Sequence, residues 1–265
     1  MKLAKQSFKY FWWLIPVLAG AVIVVALLIV FDHASAPVVP KTQSETKTST
    51  ASKTEIKVPT PKTPVVPTFD KQKYSTTDPA SIWVVVNKQH PLTPISFVSN
   101  DLITTVGATI SAKAQADFEA MNNAALAQGV NFSIVSSYRS YGSQSAIYNN
   151  YVASYGQAET DTFSARAGYS EHQTGLAIDF GSSTEATCNL DNCFGSTVEG
   201  QWLATHANDY GFILRYTAEK QSVTGYKSES WHYRYVGREL VGEMKKQSIS
   251  TLEEFFGISG GDIYS

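Results

Sequence analysis

Cysteine is scarce in this sequence, and the long C-terminal part, residues 69–265, has no excess of positive charge. Two cysteines in 265 residues exclude a disulfide-rich scaffold and a zinc site built from four cysteines. Residues 69–265 hold 13 basic and 20 acidic residues. That balance excludes a domain that neutralises nucleic-acid phosphates with clustered lysine and arginine. No nucleic acid is therefore expected among its partners.

The N-terminal part contains a long apolar run. Residues 11–31 are 21 consecutive residues without a charge, and a helix of about 20 residues spans the hydrocarbon core of a bilayer. Three lysines precede the run within residues 1–10, and no lysine or arginine follows it before Lys41. The positive-inside rule then predicts a cytoplasmic N-terminus, a single-pass anchor and a catalytic or binding domain outside the cell membrane. A cleaved signal peptide, processed at Ala34-Ser35-Ala36, is the alternative.

The composition changes after the apolar run. Of the 35 residues from Ala34 to Thr68, 23 are Ser, Thr, Pro or Lys, and none is aromatic. Such a segment cannot bury enough apolar surface to offset its chain entropy, so residues 32–68 are predicted to be a disordered linker. It reaches about 100 Å if extended and roughly 30–35 Å as a flexible coil. Residues 69–265 are then expected to form one extracellular domain.

The hydrophobic pattern of residues 69–265 predicts an α+β fold. Strands are predicted at five short runs, namely 81–87, 131–137, 176–180, 212–216 and 231–236. Helices are predicted from Ala114 to Gly129, over 144–155, from a Ser196/Glu199 capping box to Gly211, and over 238–246 and 250–256. The tyrosines between Tyr141 and Tyr155 are expected in the core, together with Trp202 and Trp231.

Two of the five histidines stand close in sequence to carboxylates in apolar surroundings. His172 lies in a polar turn that leads into an apolar strand carrying Asp179, and a buried carboxylate needs a charged partner or a metal. His232 follows Glu229 by three residues in an aromatic segment. Two imidazoles and one carboxylate suffice for a catalytic Zn²⁺, and a further glutamate is the usual base of metal-assisted hydrolysis. A core histidine paired with an aspartate is the alternative.

Three segments together carry a resemblance to a known family. The segment S-E-H-Q-T-G-L-A-I-D at 170–179 and the segment E-S-W-H-Y-R-Y-V-G at 229–237 resemble its S-x-H-x-x-G-x-A-x-D and E-x-W-H-x-R-Y-V-G signatures. Residues 136–144 resemble its S-x-Y-R-S-x-x-x-Q element. On these motifs the chain is identified as a member of the VanY-type D-alanyl-D-alanine carboxypeptidases, within the LAS zinc metallopeptidases. The likeness extends over about residues 80–255.

The resemblance implies a fold and a zinc site. It implies a small antiparallel sheet that carries the site and is flanked by helices, as in hedgehog-like peptidases. His172, Asp179 and His232 would bind one Zn²⁺ per domain. Glu229 would take a proton from the attacking water and deliver it to the leaving amine.

Arg139 is expected to face the scissile carbonyl or the substrate carboxylate. Peptide hydrolysis develops negative charge on oxygen, and a fixed guanidinium can donate to it; a structural ion pair on the surface is the alternative. Ser170, Tyr138 and Gln144 are candidate substrate contacts. Their alternatives are turn formation for Ser170, core packing for Tyr138 and a position on the helix surface for Gln144.

Cys188 and Cys193 are separated by four residues. Outside the membrane an oxidised pair is favoured and this separation permits it, so a disulfide is expected, with two free thiols as the alternative.

The implied activity is a zinc-dependent D,D-carboxypeptidase that removes the C-terminal D-Ala from peptidoglycan stem peptides with metal-activated water. An L,D-carboxypeptidase acting on tetrapeptide stems is the alternative within the same chemistry. A catalytically inactive wall-binding module is the alternative from another class. The expected partners are stem peptides and, through the N-terminal helix, the membrane, and the chain is expected to be monomeric.

Overall fold

The computed structural model describes residues 69–265. Among these residues, no helix combines the length and the apolar character needed to cross a bilayer. The predicted membrane anchor at 11–31 and the predicted linker at 32–68 lie outside the described residues.

The strands form two antiparallel sheets. Strands β1 (Leu102–Thr105) and β2 (Ala108–Ser111) form a hairpin. The larger sheet has the order β3-β4-β6-β5, and all of its neighbouring strands are antiparallel. Its strands are β3 (Phe132–Ser136), β4 (Ala177–Ser182), β5 (Phe212–Tyr216) and β6 (Glu229–Tyr235). The predicted small antiparallel sheet within a mixed fold is thus confirmed.

Seven α-helices in the described residues flank or connect these strands. They are α1 (Gln115–Ala127), α2 (Tyr141–Tyr155), α3 (Gln157–Thr160), α4 (Val198–His206), α5 (Gln221–Thr224), α6 (Arg238–Lys246) and α7 (Leu252–Phe256). Helix α1 buries Phe118, Met121 and Ala125, which have helical spacing. Phe118 packs against Phe180 of β4 and Phe212 of β5, so this helix covers one face of the larger sheet.

A second core lies under helices α6 and α7. Trp83 and Val85 pack there with apolar side chains of both helices, including Leu240 and Phe255. The Trp83 indole donates to the carbonyl of Val236 at 3.0 Å, so its polar group is satisfied inside the core. The two cores support the larger sheet, and β4 and β6 at its centre carry the site described below.

The prediction of a strand at residues 81–87 is wrong. Residues 83–87 are buried but form no ladder, and only Asn87 makes an isolated bridge, to His90. Arg234 donates from Nη2 to the carbonyls of Ile82 and Val84, at 3.1 and 2.9 Å. A buried guanidinium therefore satisfies backbone groups that a neighbouring strand would otherwise bind.

Two further helix predictions need correction. Helix α4 is capped by Thr197, whose side chain accepts from the backbone of Gly200, and not by Ser196. The tyrosines of α2 are not core residues, since Tyr155 is 61% exposed and Tyr151 37% exposed. The spacing of this apolar face was compatible with a core position, but the face borders an open cavity.

Candidate metal centre

The pairing of two strands brings together residues that are far apart in sequence. In the β4–β6 ladder, Asp179 stands directly opposite His232. His172 lies in a 3-10 turn over Glu171–Thr174. That turn ends at Gly175, which has φ +73° and turns the chain into β4. The turn therefore folds back beside β4, which places His172 next to Asp179 although the two residues are seven positions apart in sequence.

The two imidazoles meet the two oxygens of one carboxylate. His172 Nε2 lies 3.2 Å from Asp179 Oδ2, and His232 Nδ1 lies 3.1 Å from Asp179 Oδ1. The three side chains are each about 95% buried. One potential ligand atom from each lies within 4.8 Å of the others. The described residues contain this His-Asp-His group and no other group of three or more such side chains.

Hydrogen bonds decide which nitrogen of each histidine faces the carboxylate. His172 Nδ1 donates to the carbonyl of Ser137 at 2.7 Å, because a carbonyl oxygen can only accept. His232 Nε2 faces Glu171 Oε2 at 3.3 Å. Nε2 of His172 and Nδ1 of His232 therefore remain to bind a cation.

The residues fit a zinc ion. Asp179 Oδ1 is buried and, within residues 69–265, has no partner that meets hydrogen-bond geometry. A buried acceptor without a partner is costly unless a ligand satisfies it. Two imidazole nitrogens and one carboxylate oxygen form a set of three protein ligands typical of catalytic Zn²⁺.

Glu229 lies next to the three candidate ligands but is not one of them. It lies at the start of β6, and its Oε2 is 3.5 Å from His232 Nδ1. Burial raises the pKa of Glu229 to about 8, and the neighbouring carboxylate of Asp179 adds to the effect against the opposing charges of His232 and Arg139. A carboxyl group tuned near neutral pH can both accept and release a proton.

Neighbouring carboxylates also raise the pKa of His232. Burial opposes its protonation, but Asp179 and Glu171 outweigh burial and raise the pKa of His232 to about 9.

Arg139 is anchored next to the three candidate ligands. Its guanidinium donates to Gln144 Oε1 and Ser136 Oγ at 3.0 Å each and approaches Asp179 Oδ2 at 3.4 Å. Its backbone N–H donates to the carbonyl of His172 at 3.1 Å. Arg139 is therefore held from both ends beside the site, and it is not a surface arginine in a remote ion pair.

A cavity of about 580 Å³ opens over these side chains. Its lining includes all three ligand candidates, Glu229, Arg139, Ser170 and Gln144. Gln144 is buried and also donates to the carbonyl of Ala165 at 2.6 Å, so it is not on the helix surface. Tyr138 does not line this cavity. Five aromatic side chains also line it, namely Tyr151, Phe163, Tyr216, Tyr226 and Trp231.

A disulfide closes a loop at the edge of this cavity. Cys188 and Cys193 are bonded, with an S–S distance of 2.04 Å. Leu190 and Asn192, which lie between them, line the cavity. The bridge therefore restrains a segment that contributes directly to the shape of the site.

The structure adds residues that the sequence reasoning missed. Glu171 is completely buried and is bound by Arg215 and Arg234 as well as facing His232. The sequence did contain one indication of this cluster. Each of two largely apolar strands carries an arginine, Arg215 in β5 and Arg234 in β6, and a buried arginine needs an acidic partner. Glu171 itself was part of the motif, but nothing in its spacing showed that it faces a residue 61 positions away.

Comparisons with known proteins agree on one family. The family model described as VanY, D-alanyl-D-alanine carboxypeptidase, matches residues 107–238. The putative carboxypeptidase YodJ of Bacillus subtilis (strain 168) is 37% identical over 189 residues, which cover 68% of each protein.

Two solved structures are similar in both fold and sequence. The LdcB LD-carboxypeptidase matches with a TM-score of 0.62 and 36% identity, over 68% of this chain and 88% of that one. A mutant of the vancomycin resistance D,D-pentapeptidase VanY from the VanB-type cassette, in complex with Zn(II), matches with a TM-score of 0.56. It is 31% identical over 65% of this chain and 97% of that one.

Proposed function

Because this chain belongs to the VanY family of D-alanyl-D-alanine carboxypeptidases, we propose that it removes the C-terminal D-alanine from peptidoglycan stem peptides. It is a zinc metallopeptidase, and its D,D-carboxypeptidase activity follows from that family. The observation that carries the proposal is the buried His172–Asp179–His232 group with Glu229 beside it at the base of a cavity of about 580 Å³.

We assign the metal to His172 through Nε2, to His232 through Nδ1 and to the carboxylate of Asp179. Zn²⁺ held there supplies Lewis acidity, which polarises a scissile carbonyl and lowers the pKa of water. The three side chains provide a rigid site, since two belong to paired strands and the third is fixed by its bond to the Ser137 carbonyl.

Glu229 acts as the general base and then as the general acid. Its carboxylate accepts a proton from the attacking water and passes it to the nitrogen of the leaving D-alanine. Burial favours the protonated form of this carboxyl group, which helps it to hold the proton until the leaving nitrogen takes it.

Arg139 binds negative charge on the substrate side of the site. Its guanidinium keeps a fixed direction through Ser136 and Gln144, so it needs little reorganisation when charge develops on the scissile oxygen. The free carboxylate of the terminal D-alanine is the other group that it can bind. Ser170 lines the same cavity and is proposed as a further substrate contact, whereas Gln144 contributes by holding Arg139.

An L,D-carboxypeptidase acting on tetrapeptide stems is the second candidate. The similarity to the LdcB LD-carboxypeptidase, at 36% identity and a TM-score of 0.62, supports it. The same metal group and the same base serve either reaction, and the two differ in the residue that precedes the leaving D-alanine. An inactive wall-binding module does not need a buried carboxyl beside the metal ligands, so Glu229 disfavours it.

We also propose that residues 11–31 anchor the chain in the cell membrane and that residues 32–68 separate the anchor from an extracellular domain at 69–265. The apolar run, the lysines before it and the Ser/Thr/Pro/Lys composition after it support this arrangement. A stem peptide of the wall is a substrate that such a chain meets outside the membrane. The monomeric state stays a prediction.

Incubation of the full chain with defined peptides tests the function. Pentapeptides that end in D-Ala-D-Ala and the corresponding tetrapeptides are treated separately, and mass spectrometry follows the loss of one alanine. Loss from the pentapeptide is expected, while loss from the tetrapeptide alone identifies the L,D-enzyme. A chelator should abolish the reaction and added Zn²⁺ should restore it. No change in either peptide would contradict an enzymatic role.

A further inference from the structure

A cluster of four charged side chains lies behind His232, on the side away from Asp179. It consists of Glu171, Arg215, Arg234 and Glu253, which we call the buried charge cluster. All four side chains are at most 1% exposed. Arg215 forms two hydrogen bonds to Glu253, at 2.9 and 2.6 Å, and one to Glu171 at 2.8 Å. The cluster thus joins β5, β6, α7 and the turn that carries His172.

The two oxygens of Glu171 have different partners. Its Oε1 accepts from Arg215 Nε at 2.8 Å and from Arg234 Nη1 at 2.9 Å. Its Oε2 faces His232 Nε2 at 3.3 Å. A carboxylate bound by two guanidinium groups is ionised and can only accept hydrogen bonds. The nitrogen of His232 that faces it must therefore carry a proton.

The charges of the cluster balance without a charge on His232. Two arginines and two glutamates sum to zero, so the cluster is electrostatically complete with a neutral imidazole beside it. Buried ion pairs are weak evidence for stability, because apolar side chains of similar volume are often as stabilising. A role other than stability therefore accounts better for four buried charges next to a metal ligand.

We propose that Glu171 is a positioning residue that keeps the proton of His232 on Nε2 and thereby directs Nδ1 at the metal. This role of Glu171 rests on the proposed function in one respect, which is that a zinc ion binds at the site. His172 is fixed in the opposite sense, since its Nδ1 donates to the Ser137 carbonyl. Each histidine ligand thus has its own acceptor, and the two acceptors select different nitrogens.

Glu171→Gln tests the proposal by reversing one hydrogen bond. The amide oxygen of the new side chain is needed by Arg215 and Arg234, which can only donate. Its NH₂ group then faces His232 Nε2 and donates to it, so the histidine proton moves to Nδ1 and blocks the ligand position. We expect zinc affinity, measured on the full chain by competition with a chromophoric chelator, to fall by about 10–100-fold.

Glu253→Gln is the matched control. It removes the same charge from the same cluster and affects the same Arg215, but Glu253 makes no hydrogen bond to His232. Zinc affinity should stay within about twofold of that of the unsubstituted chain. Equal losses in the two variants, or unchanged affinity in Glu171→Gln, would overturn the proposal, because either result assigns Glu171 a structural role alone.

A measurement on the unsubstituted chain decides the matter even where a variant does not fold. Long-range ¹H–¹⁵N correlation spectra of the zinc-loaded chain distinguish a protonated from a metal-bound ring nitrogen. We expect His232 to show a protonated Nε2 and a metal-bound Nδ1; metal bound at Nε2 would refute the assignment. Neither measurement uses a substrate, so a chain with this arrangement and no peptidase activity would count against the proposed function alone.

Discussion

At the residue scale, two carboxyl groups that both lie within 3.5 Å of His232 Nδ1 are held in different states by their surroundings. Burial alone would raise the pKa of Asp179, but the adjacent His172 and His232 hold it well below its usual range. Burial dominates at Glu229 and raises its pKa to about 8. Asp179 is thus suited to bind a cation and Glu229 to exchange a proton, a separation of roles that arises from environment and not from residue type.

Glu229→Ala should separate metal binding from turnover. The side chain is not one of the three proposed ligands, so zinc content, measured by elemental analysis after dialysis, should be unchanged. Loss of a general base typically lowers the rate by about 10²–10⁴-fold, and kcat for the pentapeptide should fall by that factor. Glu239→Ala, which removes an exposed carboxylate paired with Lys73, is the control and should retain full turnover. Normal kcat in Glu229→Ala would exclude it as the base.

The residues of the site were accessible to sequence reasoning to different degrees. His172, Asp179, His232 and Glu229 could be proposed because their residue types match a chemistry and their segments match a family. That the aspartate and the second histidine stand opposite each other depends on the β4–β6 register, which local spacing does not specify. Glu171 could not be singled out, because its partners come from strands that are more than 40 residues away.

At the scale of elements, the turn between His172 and β4 determines where the first proposed ligand lies. Gly175 adopts a left-handed conformation there, and its carbonyl accepts from the backbone of Ser111 in β2 at 2.8 Å. A Cβ at this position would lie 2.9 Å from the Ser111 nitrogen and 2.8 Å from a methyl group of Leu102. The hairpin therefore packs against the turn so closely that only glycine fits.

Gly175→Ala is expected to destabilise the fold by about 2–3 kcal/mol, from the unfavourable φ and from the displacement of the hairpin. Urea denaturation of the full chain measures the free energy of unfolding. Gly142→Ala in helix α2 is the control, because a Cβ there meets nothing within 4 Å. It should leave stability unchanged or raise it by up to about 1 kcal/mol. Equal stabilities of the two variants would contradict the tight packing of this turn.

A second element, the segment from α2 through α3, borders the cavity and is held by one carboxylate. Asp161 accepts from the Tyr148 hydroxyl at 2.6 Å and from Arg166 Nη2 at 2.7 Å. Burial acts to raise the pKa of Asp161, but the hydrogen bonds from Arg166 and Tyr148 outweigh it and lower the pKa. The folded state therefore favours the ionised carboxylate at Asp161.

The stability contributed by Asp161 should depend on pH with a defined sign. Its folded pKa is below the unfolded value of about 3.9, so the contribution is present above pH 4 to 5. It is lost as the pH falls through the lowered pKa, because the unfolded chain then binds the proton first. Asp161→Asn should lower the free energy of unfolding by about 1 kcal/mol at pH 7 and by progressively less towards pH 3.

Urea denaturation at several pH values measures this difference. Asp209→Asn, at an exposed carboxylate 3.7 Å from Lys245, is the control and should change stability by less than about 0.5 kcal/mol at each pH. A difference between Asp161→Asn and the unsubstituted chain that stays constant from pH 7 to pH 3 would show that the charge of Asp161 is not responsible.

Helices and strands were predicted best where one of their faces is apolar and packs against a core. Strand β5 and helix α6 have the predicted bounds, 212–216 and 238–246, because periodicity and flanking glycines act locally. The run 81–87 has the composition of a strand, but its backbone is bound by Arg234, a side chain about 150 residues away. The apolar face of α2 lines a cavity, and periodicity does not distinguish a cavity from a core.

At the scale of the whole molecule, the proposed anchor confines the proposed enzyme to one surface. A chain fixed at residues 11–31 and spaced by residues 32–68 can reach peptides only within about 100 Å of the membrane. The domain at 69–265 carries an excess of seven acidic residues over basic ones, so it has little electrostatic attraction to anionic lipid. Under this proposal, retention at the membrane would depend on the apolar run.

Two charges placed in the apolar run should release the chain from the membrane. Arginine near the centre of a membrane helix costs about 2.5–3.5 kcal/mol in insertion, so Val22→Arg with Val25→Arg should cost roughly 5–7 kcal/mol. The unsubstituted chain is expected to sediment with membranes, to resist alkaline extraction and to enter solution with detergent. Val22→Leu with Val25→Leu is the control and should fractionate like the unsubstituted chain.

Two further measurements, the mass of the mature chain and its sensitivity to protease, distinguish a retained anchor from a cleaved signal peptide. An anchor requires that the full-length mass persists and that protease added to intact cells without a wall digests the domain while an N-terminal epitope survives. A chain that begins near Pro37 and is found in the medium would identify a cleaved signal peptide. In that case the peptidase would diffuse through the wall, and its access to stem peptides would no longer be limited by the length of residues 32–68.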